Sequence, residues 1–152
     1  MGPQRPAVAT LVRGLAAGLA GGADMTAFQR LVEMPLTGRD ESHQPAALAV
    51  KLLRLPARRR HDRRLNHLVH FGVGAGWGAA HGLLATRAGL RGQRAVAAGF
   101  GTLWPADIVT TTALGLARPW RWSRRDLAVD VVDKLVLAEA TGAVFDRLAA
   151  RG

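Results

Sequence analysis

Hydrophobic and polar positions fall into separate blocks along this chain. No formally charged residue occurs from Leu65 to Ala85, and from Ala95 to Ala117 the only charged residue is Asp107. Each block approaches the roughly 20 apolar residues that a helix needs to cross a bilayer. A third block, Ala7 to Ala23, contains only Arg13, which near a helix end can extend its guanidinium to the interface. Helical character there continues through Met25, Phe28 and Leu31 toward Glu33, and Pro35 disfavours helix at Met34. The fourth block begins at Ser123 and Asp126, spaced like a capping box, and is the least hydrophobic. The pattern predicts helices at about 7–29, 65–86, 95–117 and 124–148. Residues 37–44 read as a loop. Residues 45–55 place Lys51 and Arg54 on one face of an otherwise apolar segment, which predicts a short amphipathic helix lying in the membrane interface.

Glycine recurs every fourth residue at Gly14, Gly18 and Gly22, and again at Gly74, Gly78 and Gly82. In a water-exposed helix each glycine costs roughly 1 kcal/mol relative to alanine. In lipid the same stripe lets a second helix backbone come close. The expected fold is therefore all-α: an integral membrane four-helix bundle, one domain over 1–152. Three spans with an interfacial first helix is the alternative.

Composition refines this picture. A mean hydropathy of +0.07 with 21% charged residues is low for a membrane protein. Segregation accounts for it, since charges crowd into 54–64 and 118–126. The net charge of +10 comes almost wholly from arginine, with lysine only at Lys51 and Lys134. Arg58, Arg59, Arg60, Arg63 and Arg64 directly precede the Leu65–Ala85 block. That position favours contact with anionic lipid over nucleic-acid phosphate. Trp120 and Trp122 sit among arginines, as tryptophans do at a membrane boundary. Basic residues are more numerous in the first and third loops, which predicts those loops in the cytoplasm of a bacterial inner membrane and both termini outside. Arg13 within the first apolar run argues against a cleaved signal peptide. Absence of cysteine excludes thiol chemistry, disulfides and cysteine-ligated metal.

Catalytic signatures are missing. Gly72, Gly74, Gly76 and Gly78 do not match a dinucleotide fingerprint or a phosphate loop. His67 and His70 could share a metal only with further ligands, and His81 lies about 16 Å along the same helix. No catalytic residue, metal or cofactor is implied. What remains is a set of ionisable side chains in apolar surroundings: His70, His81, Asp107, Asp130, Asp133 and Lys134. Charges in lipid face the bundle interior, pair with one another or line a pathway. Asp130 and Lys134 are spaced to pair on one helix. Asp107, near Pro105, is expected to face His70 or His81 and the acidic face of the last helix, with the imidazoles, Lys134, Thr110 and Thr111 as its candidate donors, and Thr110, Thr111 and Thr112 can satisfy backbone groups freed by the proline. Glu139 and Asp146 fall on the opposite face of that helix.

Four stretches carry a resemblance: Gly14 to Gln29, His67 to Gly82, Gly115 to Pro119, and Trp122 to Asp126. Together they resemble the YagU-like family of small bacterial inner-membrane proteins. Where that family has a histidine early in the last helix, this chain has Asp133 or Lys134. The resemblance implies a helical inner-membrane protein without an established catalytic activity.

The expected function is that of a non-enzymatic membrane protein whose polar interior supports permeation of a proton, ion or small solute, or membrane homeostasis. Its expected partner is the lipid bilayer, with a second copy or another membrane protein against the glycine stripes. An accessory subunit of a larger membrane complex is the second reading. A soluble basic helical protein binding nucleic acid through Arg58 to Arg64 is the third and least favoured.

Overall fold

The computed structural model describes residues 4–151, with side chains described from residue 7 onward. Among the described residues the chain is helical throughout its regular structure: α1 (Gln4–Phe28), α2 (Gln44–Leu52), α3 (Arg63–Ala88), α4 (Gly92–Ala113) and α5 (Arg124–Ala150). Helix α1 does not stop before Pro35. It continues through a π-helical turn at Gln29–Glu33 and one more α-turn at Met34–Thr37. The Met34 N–H reaches back to the Gln29 carbonyl, so a widened turn leads the chain into a proline that lacks a donor of its own. The loop shortens accordingly.

The four long helices run up, down, up and down. Gly14 lies against Gly78 and Gly18 against Gly74, which makes α1 and α3 antiparallel. Val96 lies against Gly142 and Trp104 against Asp130, which does the same for α4 and α5. Helix α1 packs on α3 and α5, and α4 packs on the same two helices. Helices α1 and α4 therefore occupy opposite corners. The first helix is a principal member of the bundle.

Glycine makes the α1–α3 contact possible. A Cβ at Gly14 would stand 2.6 Å from the Gly78 carbonyl oxygen and 2.8 Å from the Ala79 Cα. Those obstacles are backbone and cannot turn aside. The two expected stripes thus pack mainly on each other, while Gly82 instead receives the ring of Phe145 from α5. Helix α2 lies where the short helix was expected. Its residues Ala46, Ala49 and Val50 are buried, and the helix packs on α3.

The interior is built from small and polar residues. Ala17, Ala85, Ala95 and Phe145 form the buried apolar cluster, and Thr10, Asn66, His81, Thr111, Asp133 and Thr141 are buried with it. Larger apolar side chains point outward: Val8, Leu11, Val12, Leu15 and Leu19 make an exposed stripe along α1. Among the described residues, no helix is long and apolar enough to cross a membrane. The segments expected as spans are thus present as helices, but glycine, histidine and acidic side chains hold down the hydropathy of each.

Candidate functional site: a polar pocket at one end of the bundle

Segments 29–62 and 114–123 gather at the bundle end away from the α3–α4 turn. There a cavity of about 200 Å³ enters between α1, α3, α4 and α5. Asn66 shapes its rim. Its Oδ1 accepts the Ala46 N–H at 3.0 Å and its Nδ2 donates to the Ser42 carbonyl at 2.9 Å, which pins α2 and its leading loop to α3. Glu41, in that loop, pairs with Arg30 at 3.7 Å and with His67 at 3.8 Å. Arg125 at the start of α5 donates to the Thr37 carbonyl. Asp62 caps α3 by accepting the Leu65 N–H at 3.1 Å. That bond, followed by the one from Arg59, holds its carboxyl below the usual carboxylate range. At the other connection Ser123 and Asp126 form the expected capping box at the start of α5.

Lys134 lies at the floor. Its ammonium donates to Asp107 Oδ2 at 2.9 Å, stands 3.6 Å from Asp130 Oδ1, and sits 5.9 Å from the centre of the Trp77 ring. Trp104 Nε1 donates to the other Asp130 oxygen at 2.8 Å. Beside them Gln29 Nε2 donates to Asp133 Oδ2 at 2.8 Å. The second Asp133 oxygen, Oδ1, is buried and has no hydrogen-bond partner, and the whole residue is 7% exposed. Thr26 commits its hydroxyl proton to the Gly22 carbonyl at 2.8 Å, so His70 Nε2, 3.0 Å from that hydroxyl, is its donor.

The pocket therefore collects His70, Asp107, Asp130, Asp133 and Lys134. His81 is elsewhere. It is 2% exposed in the other half of the bundle, with its ring edge-on to Phe145 and a Cβ at Gly99 excluded by its Nδ1. Asp107 pairs with lysine and with neither histidine. Thr111 bonds back to the Asp107 carbonyl at 2.7 Å, downstream of Pro105 and not across it. Glu139 and Asp146 hold the start of α4, accepting from Gln93 Nε2 at 2.9 Å and from the Gly92 N–H at 2.8 Å.

Sequence reasoning missed Thr26, Gln29, Asn66 and Trp104. For Thr26 there was a signal: it continues the four-residue stripe one step past Gly22 and so had to face α3. Gln29 follows it by three residues on a neighbouring face. Nothing in the local pattern selects Trp104 over the other three tryptophans.

The fold and site together define a helical bundle with a charged, one-sided interior pocket. No protein-family model matches this chain, and neither does any curated protein or solved structure.

Proposed function

We propose that the chain is a non-enzymatic, membrane-embedded helical bundle that admits a small polar solute into its one-sided pocket. The distribution of side chains on α5 carries this reading. Every exposed residue of that helix between positions 127 and 143 is apolar: Leu127, Ala128, Val132, Leu135 and Ala143. Its Asp130, Asp133 and Lys134 turn inward. Water favours the opposite arrangement, whereas lipid favours this one, because charges there must face protein. The exposed α1 stripe and the glycine contact between α1 and α3 point the same way.

The modest hydropathy of each helix is compatible with this placement. An average over a helix counts its inward polar residues, yet lipid would meet only the outer face. The chain also exposes 9535 Å², whereas area scaling gives about 7,400 Å² for a water-soluble monomer of its mass. The resemblance to the YagU-like family agrees with an inner-membrane setting. The accessory-subunit reading loses its main surface, since the glycine stripes are occupied within the chain. Nucleic-acid binding through Arg58 to Arg64 would leave the apolar outer faces unexplained.

Membrane fractionation tests the proposal. The protein is expected to stay with the membrane pellet through a high-salt wash and then an alkaline carbonate wash, and to be released only by detergent. Release by either wash would overturn it.

A further inference from the structure

The connections at the pocket end lie against one another. Arg125 donates to the Thr37 carbonyl, and a Cβ at Gly115 would stand 3.9 Å from the Lys51 ammonium. Segments 29–64 and 114–125 together hold thirteen lysines and arginines against four acids. Most of those acids are already engaged. Glu41 pairs with Arg30 and His67, Asp62 pairs with Arg59 at 3.1 Å, and Glu33 accepts the Thr37 hydroxyl at 2.7 Å. Among the described residues, none of Arg58, Arg60, Arg63, Arg118, Arg121 or Arg124 is in ion-pair contact with a carboxylate, and all six are exposed. The same end carries the most exposed large apolar side chains of the described residues: Leu36 at 78%, Leu31 at 77%, Leu68 at 73% and Trp120 at 72%. Leu52 and Leu53, at the end of α2, are exposed as well.

We propose that this end of the molecule binds anionic phospholipid, with the unpaired arginines on lipid phosphates and the exposed leucines and Trp120 at the acyl boundary. The assignment rests on the membrane reading and names the lipid class that the basic end meets. Two features select this partner. Free guanidinium groups match phosphate with a planar fork of donors, and so large an excess of positive charge favours a headgroup with net negative charge over a zwitterionic one. The apolar side chains require that the same partner also present hydrocarbon. Indole rings settle at the level of the headgroups, and leucines among basic residues reach just below them. A nucleic acid would satisfy the arginines and leave the leucines in water.

The test uses purified full-length protein in a neutral detergent with four probes at constant ionic strength: dioctanoyl-phosphatidylglycerol, dioctanoyl-phosphatidylcholine, inorganic phosphate and a short single-stranded oligonucleotide. Calorimetry and thermal unfolding report binding. Saturable binding and a raised melting temperature are expected with phosphatidylglycerol, about tenfold tighter than with phosphatidylcholine. Equal effects from the two lipids would overturn the assignment, as would inorganic phosphate reproducing the whole effect or the oligonucleotide binding more tightly than phosphatidylglycerol. The triple variant Arg58→Gln, Arg60→Gln, Arg63→Gln is expected to lose most of the preference. The triple variant Arg87→Gln, Arg91→Gln, Arg94→Gln removes the same charge from exposed positions at the opposite end and should keep it. Equal losses in the two variants would mean that net charge alone attracts the lipid, which also overturns the assignment. The membrane washes are independent of this experiment. Protein that stays in the washed membrane without preferring phosphatidylglycerol loses only the lipid assignment. Protein released by the washes that still prefers phosphatidylglycerol loses its embedded placement and keeps this surface.

Discussion

Lys134 shows how one side chain can organise a charged floor. Its ammonium is shared by an acid from its own helix and an acid from α4, so it ties α4 to α5 close to the proline that α4 carries inside it. Lys134→Met would leave Asp107 and Asp130 facing each other without a cation. Breaking a fully buried ion pair costs about 3–5 kcal/mol. Lys134 keeps 17% exposure and Asp107 keeps 23%, so the expected loss is smaller, about 2–3 kcal/mol. The double variant Lys134→Met with Asp107→Asn should recover part of that loss, because one stranded charge is gone. Thermal unfolding in detergent measures both. A double variant no more stable than Lys134→Met would show that the two side chains are energetically independent. The Asp130–Lys134 pair was legible from spacing alone. Lys134 stood among several candidate donors to Asp107, and only packing selects it, since the residues lie on different helices and the histidines were equally eligible on composition.

Helices here are specified by their glycines as much as by their apolar residues. Two stripes of the same period occur on α3, one through Gly74 and Gly78 and one through Gly72 and Gly76. Only the first meets a neighbour: a Cβ at Gly78 would run into the backbone of Gly14 and Gly18, whereas one at Gly76 would meet nothing within 4 Å. Gly78→Leu is therefore expected to cost about 3 kcal/mol or more, as overpacking against an immobile backbone does. Gly76→Leu should be neutral or slightly stabilising, because an outward glycine only weakens its helix. Melting temperatures of the two variants in detergent provide the comparison, and equal losses would mean that α1 and α3 are not held by this contact. Existence and type of the long helices could be read from periodicity, while the passage of α1 through Pro35 could not. A proline normally ends a helix, and here a π-turn carries the chain past it.

Up-down-up-down connection brings segments 29–62 and 114–123 to one end, and these hold most of the clustered arginines. The pocket mouth opens at that end, framed by Arg30, Glu41 and His67. Under the membrane reading the basic end faces the cytoplasm, so the pocket would be filled from inside the cell. A reporter active only in the cytoplasm should therefore give signal when fused after Arg60 and none when fused after Arg91. The opposite pattern would turn the pocket outward, and signal from both fusions would mean that α3 does not cross the membrane.

By itself, the sequence determined that the chain is helical, roughly where four long helices lie, and which four-residue glycine stripes offer close approach. These are local properties: periodicity, capping and residue size act over a few turns of one helix. Only the tertiary structure decided that the stripes of α1 and α3 meet each other, that α2 folds its apolar face onto α3, that His81 is separated from the other polar residues, and that Asp133 is left with one oxygen unpaired. Each of those depends on which helix stands opposite and in what register. A pattern along one helix specifies its own face and leaves the facing partner to the packing of the whole bundle.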